Sequence, residues 1–181
     1  MGVENLPRSI ALARADGGAL AVRIVDQRRL PESLVYRDVM TCEEMIEAIQ
    51  TLAVRGAPAI GVSGAAALAL YAANESEATS SACLVFELET IASSVSSARP
   101  TAVNLAWGVE RALSCAREAA CESVSARDVA KLLAGDVQAM IEEDEAANRA
   151  IGMYGAALLG RGSRVLTHCN AGSLATAFYG T

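Results

Sequence analysis

The spacing of apolar and polar positions changes near residue 40. Before that point, apolar runs at residues 10–14 and 20–26 flank the tripeptide Asp16-Gly17-Gly18, and a third run covers residues 33–39. Short apolar runs separated by a glycine-rich turn are typical of antiparallel strands. The pattern therefore predicts a small antiparallel β-meander over residues 9–39.

From residue 41 onward the apolar positions recur at helical spacing. Thr41 followed three residues later by Glu44 is the signature of a capping box, and apolar residues at positions 45, 46, 49, 52 and 53 form a helical stripe behind it. The same reasoning predicts helices over residues 58–73, 80–97 and 100–121, and from Ser125 onward. Acidic residues 142–145 are expected on a solvated face of the last helix. Meander and helices together form a predicted N-terminal domain, residues 1–160.

Residues 161–181 are predicted to form a different unit. Residues 163–169 have the length and apolar content of a short buried strand, and Asn170-Ala171-Gly172 leads into a short apolar helix over residues 173–179. A strand, a tight turn and a helix open a parallel α/β unit, whose partner strands need further chain. The sequence therefore predicts an α/β protein whose second domain is truncated after its first strand and helix.

Composition narrows the class of protein. Of the 181 residues, 52% are hydrophobic and 37 are alanine, and the net charge is −6. This apolar content excludes a disordered chain, and the acidic balance argues against a general nucleic-acid binder. Residues 56–74 carry no charge, but they include Pro58, three glycines and many alanines. We therefore expect a core helix there and no membrane span.

The cysteines and the single histidine narrow the class of protein further. The five cysteines are odd in number and show no C-x-x-C spacing, which predicts reduced thiols in a cytoplasmic protein. The N-terminal residues show no basic stretch followed by an apolar run, so no signal peptide is predicted. One histidine without clustered cysteine or aspartate ligands predicts no metal site.

Two arginines stand immediately before prolines that are predicted to open helices. Arg55 precedes Gly56-Ala57-Pro58, and Arg99 precedes Pro100. A cation at a helix N-terminus costs about 0.3–1 kcal/mol unless an anion compensates it. Free backbone N–H groups and the missing side chain of Gly56 would let Arg55, Gly56 and Ala57 hold a phosphate, with Arg99 adding donors. The spacing alone leaves equally open that both arginines face solvent or pair with acidic neighbours.

Cys169 is the candidate for chemistry. It ends the predicted strand just before the predicted helix, where open α/β sheets bind their ligands and where a helix N-terminus favours the thiolate. It could then act as an acid, a base or a nucleophile, whereas an ordinary buried cysteine is the alternative interpretation. Neighbouring residues on a strand point to opposite faces, so His168 is expected to be a buried, hydrogen-bonded histidine that does not serve Cys169.

Five stretches of the sequence occur together in a recognisable order. They are Asp26-Gln27 followed by Leu30-Pro31, then residues 54–61, 99–105, 142–152 and 166–176. In this order they resemble the methylthioribose-1-phosphate isomerase family, whose relatives are the regulatory α, β and δ subunits of eukaryotic initiation factor 2B. Several long stretches in register are far more specific than any single motif.

The resemblance implies both an architecture and a reaction. The implied architecture is a small sheet with helices followed by a Rossmann-like domain, in a homodimer that uses no metal or organic cofactor. The implied reaction converts 5-methylthioribose 1-phosphate to 5-methylthioribulose 1-phosphate in methionine salvage. By motif match, Arg55, Gly56, Ala57 and Arg99 would contact the phosphate and the sugar, and Cys169 would be catalytic.

One element of the family pattern has no counterpart in these 181 residues. The family pairs the cysteine with an aspartate from a later segment, and the reaction demands two positioned groups. We therefore expect these residues alone to be inactive. Two alternatives stay open: a non-catalytic sugar-phosphate or nucleotide sensor related to initiation factor 2B, and a ribose 1,5-bisphosphate isomerase. The intact stretch of residues 167–172 favours the enzyme over the sensor.

Overall fold

A three-stranded sheet packs beside a bundle of helices in the computed structural model, which describes residues 6–122 and 124–180. Within these residues the strands are β1 (Ile10–Arg14), β2 (Leu20–Val25) and β3 (Tyr36–Val39). The α-helices are α1 (Cys42–Gln50), α2 (Ala57–Leu70), α3 (Ser81–Ser97), α4 (Val103–Cys121) and α5 (Ala126–Ala156). The mixed α/β class, with a small antiparallel sheet, is as predicted.

The sheet is the predicted meander. Its strand order is β1-β2-β3 with both pairs antiparallel, and Ile10 lies opposite Ile24 while Val22 lies opposite Val39. Gly17 and Gly18 both have positive φ angles, +87° and +85°, which glycine adopts without steric cost. The glycine pair therefore closes the first hairpin, as the sequence predicted.

The predicted helix starts at Thr41 and Ser125 are confirmed. The Thr41 hydroxyl accepts from the backbone N–H of Glu44, and the Glu44 carboxylate accepts from the backbone N–H of Thr41, which completes the capping box. Ser125 caps α5 by accepting from the backbone N–H of Asp128. Both caps satisfy N–H groups that a helix start would otherwise leave unpaired.

Helix α2 is the centre of the bundle. Twelve of its fourteen residues are buried, and α4 crosses it where Gly61 and Gly108 bring the two main chains together. A π-helical turn, Tyr71–Glu75, continues α2. The combined helix Ala57–Glu75 is long and apolar enough to cross a membrane, and 72% of its most apolar window is buried inside the protein. It thus packs as the core helix that the sequence predicted.

Helix α4 begins later than predicted. It starts at Val103, and the backbone N–H of Ala102 donates to the carbonyl of Arg99 to close a turn with Pro100 in its second position. Proline has the φ angle that this turn position requires, as well as the φ angle of a first helical turn, so the sequence signal is the same for both. Arg99 therefore precedes a turn, and the prediction that it stands at a helix N-terminus is wrong.

Residues 163–179 differ from the predicted strand and helix. Residues 163–169 are exposed and irregular, and within residues 170–180 the one helical turn is the 3-10 turn Ser173–Ala175. A parallel strand forms only beside partner strands, and none of the three described strands pairs with this segment. His168, predicted to be buried, is exposed for the same reason. The division into domains at residue 160 stays a prediction.

Candidate functional site

The start of α2 presents unpaired backbone donors. Gly56 is the N-cap residue with φ +100°, and no side chain caps this helix. Among the described residues, the backbone N–H groups of Ala57 and Ala59 have no acceptor, and Pro58 has no N–H to satisfy. Since Arg55 and Ala57 are both exposed, an anion could reach the guanidinium and the N–H of Ala57 from solvent, whereas Ala59 is fully buried. This arrangement is what the predicted phosphate cradle requires, and the cradle is defined here as Arg55, Gly56 and Ala57.

The side chain of Arg55 is held by an amide and not by a carboxylate. Its Nε donates to Oε1 of Gln27 at 3.1 Å. Within residues 6–122 and 124–180, Arg55 forms no ion pair. Its positive charge is therefore not neutralised by an acidic neighbour in the described part of the chain. Of the two alternatives to anion binding, pairing with an acid is not seen.

Arg99 is not part of the cradle itself. It is half-buried in the turn before α4, and it also lacks an ion pair with any described residue. The first turn of α4 packs on α2, because the carbonyl oxygen of Asn104 lies 3.0 Å from the Cβ position of Gly61. Arg99 thus precedes a helix that contacts α2 one turn beyond the cradle.

A segment from the C-terminal part of the chain lies against the cradle. We call residues 173–178 the docked segment, and residues 175–178 within it are buried. A Cβ at Gly56 would lie 2.5 Å from the carbonyl oxygen of Ala175. The sequence predicted that Gly56 admits a ligand close to the main chain, whereas the structure places the protein's own backbone in that contact. Glycine is required at position 56 both for its φ angle and for this space.

Buried polar side chains fasten the docked segment. Ser9, which is 1% exposed, donates its hydroxyl to the carbonyl of Ser173 at 2.8 Å and its backbone N–H to the carbonyl of Ala177 at 3.0 Å. Nε2 of Gln27 donates to the carbonyl of Leu174 at 2.7 Å. These residues come from the start of the meander and from the 3-10 turn after β2. The docked segment is therefore tied to the sheet as well as to α2.

Asp144 on α5 also binds the docked segment. Its carboxylate accepts from the backbone N–H of Ala177 at 2.7 Å and from the amide of Asn148 at 3.0 Å. Burial raises the pKa of Asp144 above its ordinary value, although these hydrogen bonds and one from the backbone of Phe178 act in the opposite direction. The expectation that residues 142–145 form only a solvated face is wrong at Asp144.

Aromatic and charged side chains pack together at the C-terminal end of the docked segment. The guanidinium of Arg8 lies 4.1 Å from the ring centroid of Phe178, and that of Arg149 lies 4.7 Å from the ring of Tyr179. Both arginines form ion pairs with Glu145, at 2.9 and 2.8 Å. Phe178 is 2% exposed. The burial of its ring therefore helps to hold the docked segment in place.

Cys169 precedes the docked segment but is not buried with it. The residue is exposed, has a φ angle of +61°, and its side chain makes no hydrogen bond to the residues that the structure describes. Five residues separate it from Ala175, so its Cα lies within about 22 Å of the Cα of Ala175. The chain thus links Cys169 to the cradle, whereas its side chain makes no hydrogen bond to the cradle residues.

Sequence reasoning missed Gln27, which bonds Arg55, and it missed Ser9 and Asp144, which hold the docked segment. Gln27 and Asp144 lie within the stretches that carry the family resemblance, and that was the only signal for them. Nothing in local spacing indicates Ser9. All three act on residues far away in the sequence, which a pattern of neighbouring positions does not record.

Cavities lie beside the helices in the described part of the chain. One of about 270 Å³ is lined by Pro58 and Val62 from α2, Asn104 and Trp107 from α4, and Asp144 from α5, so it adjoins the cradle. A second, of about 700 Å³, lies between the β1–β2 hairpin and α5 and is lined by none of the candidate residues. Small-molecule sites span about 300–1,000 Å³.

Within residues 6–122 and 124–180, no cluster of three acidic, cysteine or histidine residues could hold a metal ion.

Comparison with known proteins places the chain within a family. Residues 53–179 match the Initiation factor 2 subunit family. The chain is 48% identical over 161 residues to a 5-deoxyribose 1-phosphate isomerase of Moorella thermoacetica, covering 88% of this chain and 45% of that protein. It is 44% identical over 160 residues to a methylthioribose-1-phosphate isomerase of Syntrophotalea carbinolica, covering 88% and 46%. The chain spans about half the length of the curated relatives it matches.

A solved structure shares the fold. The crystal structure of 5-methylthioribose 1-phosphate isomerase from Pyrococcus horikoshii superimposes with a TM-score of 0.84 at 36% sequence identity, covering 98% of this chain and 47% of that one. The similarity therefore extends over both the helical bundle and the docked segment.

Proposed function

The chain belongs to the initiation factor 2 subunit family, and from that membership we propose that it forms the phosphate-binding part of a sugar-phosphate isomerase. The single observation that carries this proposal is the uncapped start of α2, with the unneutralised guanidinium of Arg55 beside it. Two of the relatives that this chain resembles are named as isomerases of 5-modified ribose 1-phosphates. The proposed substrate is 5-methylthioribose 1-phosphate, and the proposed product is 5-methylthioribulose 1-phosphate.

The cradle supplies binding energy for the phosphate. The free N–H groups of Ala57 and Ala59 carry the positive end of the α2 dipole, and Arg55 adds a full positive charge. A dianionic phosphate reverses the unfavourable placement of a cation at a helix start. Arg99, on the turn before α4, is proposed as a second cation for the sugar phosphate.

The proposed chemistry needs more than the phosphate site. The ring C1–O bond breaks and the ring oxygen takes up a proton. The hydrogen on C2 moves to C1, and the C2 hydroxyl gives up its proton as it becomes the ketone, while the phosphate stays on C1. Cys169 is proposed as one of the two groups that move the proton or steer the hydride. The second group is proposed to come from residues that are not among these 181, so we expect this chain alone to bind and not to convert the substrate.

Two other functions have specific support. The 48% identity to a 5-deoxyribose 1-phosphate isomerase favours that sugar phosphate as a second substrate candidate. The family also carries the name of a translation initiation factor, which supports a non-catalytic member that binds a sugar phosphate or nucleotide. A sensor would keep the cradle and would not depend on Cys169.

Calorimetric titration of the chain tests the proposal. We expect saturable binding of 5-methylthioribose 1-phosphate and of 5-deoxyribose 1-phosphate, and at least tenfold weaker binding by the Arg55→Met variant. Arg127→Met is the matched control, because Arg127 is also exposed and lacks an ion pair with any described residue. Equal affinity of wild type and Arg55→Met for both sugars would refute the cradle. Ribose 1,5-bisphosphate binding more tightly than either would favour that alternative isomerase.

A further inference from the structure

Gln27 connects the two parts of the candidate site. We propose that Gln27 is a positioning residue: its amide orients Arg55 toward the substrate phosphate and fixes the segment that follows Cys169. This inference rests on the proposed function and names a residue that acts through Arg55. The 3.1 Å contact to Arg55 and the 2.7 Å contact to Leu174 come from the same amide group.

The amide of Gln27 has one possible orientation in its surroundings. The side chain is 2% exposed. Its oxygen accepts from Nε of Arg55, and its nitrogen donates to the carbonyls of Leu174 and, at 3.5 Å, of Arg55. Rotating the amide by 180° would set its NH₂ group against a guanidinium, which has only donors, and its oxygen against two carbonyls. The hydrogen-bond pattern therefore fixes both the amide and the guanidinium.

The backbone that carries Gln27 is itself held firmly. Asp26 caps the 3-10 turn Gln27–Arg29 and binds the guanidinium of Arg28 through two contacts, at 2.8 and 2.7 Å. The Arg28 side chain holds the pKa of Asp26 below its ordinary value. The backbone N–H of Gln27 donates to the carbonyl of Ala53, just before the cradle. A fixed backbone and a fixed amide leave Arg55 with little freedom at Nε.

This geometry specifies how the guanidinium can bind an anion. Because Gln27 occupies the Nε donor of Arg55, only the two terminal nitrogens remain for a ligand. Neither nitrogen makes a hydrogen bond within the described part of the chain. A pair of parallel N–H donors matches two oxygens of a phosphate. Gln27 thus selects end-on, bidentate binding of the phosphate by Arg55.

The test compares three side chains that differ in what they hold. Gln27→Met removes both contacts, and Arg55→Met removes the proposed ligand contact directly. Ser9→Ala removes a bond of similar length to the same docked segment, at Ser173, and does not touch Arg55. Each variant is titrated with inorganic phosphate, and the Nε–H signal of Arg55 is followed by ¹⁵N NMR as a readout that segment docking alone would not move.

We expect Gln27→Met to weaken phosphate binding about tenfold and to lose the slowly exchanging Arg55 Nε–H signal. Ser9→Ala should keep both within twofold. Wild-type phosphate affinity in Gln27→Met, or an equal loss of affinity in Ser9→Ala, would overturn the positioning role. Unchanged affinity in Arg55→Met would instead refute the proposed function, so the two failures are distinguishable.

Gln27→Glu serves if Gln27→Met does not fold. The carboxylate keeps the acceptor for Arg55 and loses the donor to Leu174, so the Nε–H signal should persist. Its negative charge beside the guanidinium should weaken phosphate binding at least tenfold. A Gln27→Glu variant that loses the Nε–H signal and still binds phosphate as tightly as the wild type would contradict the inference.

Discussion

Gly56 and Ala175 touch through their main chains, with the carbonyl oxygen of Ala175 2.5 Å from where a Cβ of residue 56 would lie. Gly56 also has a φ angle of +100° and a ψ angle of 138°, a combination that residues with side chains rarely adopt. One glycine thus meets two requirements: it starts α2 without a side chain over the free N–H groups, and it leaves room for the docked segment. The predicted anion cradle and the docking contact depend on the same position.

Gly56→Ala should therefore release the docked segment. The added methyl meets backbone that cannot move aside without breaking the bonds to Ser9, Gln27 and Asp144. Backbone strain and overpacking each cost about 1–3 kcal/mol. We expect faster hydrogen exchange at Ala177 and a lower free energy of unfolding.

The matched control is Gly162→Ala. Gly162 also has a positive φ angle, +85°, but nothing lies within 4 Å of its Cβ position. This change should cost only the conformational strain, about 1–2 kcal/mol, and leave exchange at Ala177 unchanged. If both variants exchange alike at Ala177, the contact between residues 56 and 175 does not hold the segment.

Two helical glycines predict opposite effects of the same substitution. A Cβ at Gly108 of α4 would contact the carbonyl group of Gly61, with the carbonyl carbon at 2.7 Å, whereas nothing lies within 4 Å of the Cβ position at Gly135 of α5. Gly108→Ala should lower the free energy of unfolding by more than about 2 kcal/mol, because α2 and α4 must move apart. Gly135→Ala should raise it by about 0.5–1 kcal/mol through helix propensity.

Urea unfolding of both glycine variants measures these changes. If both substitutions changed the free energy of unfolding in the same direction, the main-chain contact between α2 and α4 would not limit packing.

The sequence predicts local elements well and long-range contacts poorly, for a physical reason. Thr41 and Glu44 indicate a helix start because each side chain bonds the backbone N–H of the other, and the two residues are only three positions apart. The helix start predicted at Pro100 is wrong because the second position of a turn and the first turn of a helix require the same φ angle. The partners of Gln27, Ser9 and Asp144 lie far away along the chain, so no spacing rule could have found the docked segment. Only the family resemblance marked two of them.

The predicted strand at residues 163–169 illustrates the limit more sharply. Its apolar residues fit a buried strand, yet Leu166 is 97% exposed and Val165 is 63% exposed. A strand is stabilised by hydrogen bonds to neighbours, and composition alone cannot supply them. By contrast, the uncapped helix start beside Arg55 and Gly56 could be predicted, since a helix start is a local feature. That it holds a phosphate stays a prediction.

Asp144 and Asp26 should give opposite contributions to the pH dependence of stability. Burial raises the pKa of Asp144 in the folded protein, so its contribution is fully present at low pH and is lost as the pH rises through that pKa. The hydrogen bond from Arg28 lowers the pKa of Asp26, so its contribution is present at higher pH and is lost as the pH falls. The crossover lies near the ordinary pKa of an aspartate, about 3.9.

Asp144→Asn and Asp26→Asn separate the two contributions. Above about pH 4, Asp144→Asn should gain stability relative to the wild type as the pH rises. Asp26→Asn should lose stability relative to the wild type as the pH rises toward about 4 from below. Urea unfolding at several pH values measures both differences. Parallel pH profiles for Asp144→Asn and the wild type would mean that Asp144 does not titrate differently on folding.

Removing the Asp144 carboxylate tests its role as an acceptor. Asp144→Ala leaves the buried backbone N–H of Ala177 without a partner, which costs about 1–3 kcal/mol. Glu142→Ala is the control on the same helix, because Glu142 is exposed and bonds only Gln138 among the described residues. We expect a clear loss of unfolding free energy for Asp144→Ala alone. Similar losses in both variants would assign the effect to α5 and not to the docked segment.

The five thiols should react with Ellman's reagent in an order set by burial. Cys83, Cys121 and Cys169 are exposed, Cys115 is half-buried, and Cys42 is buried. Burial raises the pKa of the Cys42 thiol to about 12, so at pH 8 only about one in ten thousand of these groups is a thiolate. Three thiols should therefore react at once, Cys115 more slowly, and Cys42 only after unfolding.

The Cys169→Ser variant identifies which of the fast thiols belongs to the candidate catalytic residue. It should remove one fast equivalent and leave the free energy of unfolding within about 0.5 kcal/mol, because the side chain makes no described hydrogen bond. Phosphate affinity should not change, since the cradle donors are Arg55 and the α2 backbone. A fast phase that still contains three equivalents would show that Cys169 is covered in solution, and the proposal that it faces the substrate would then fail.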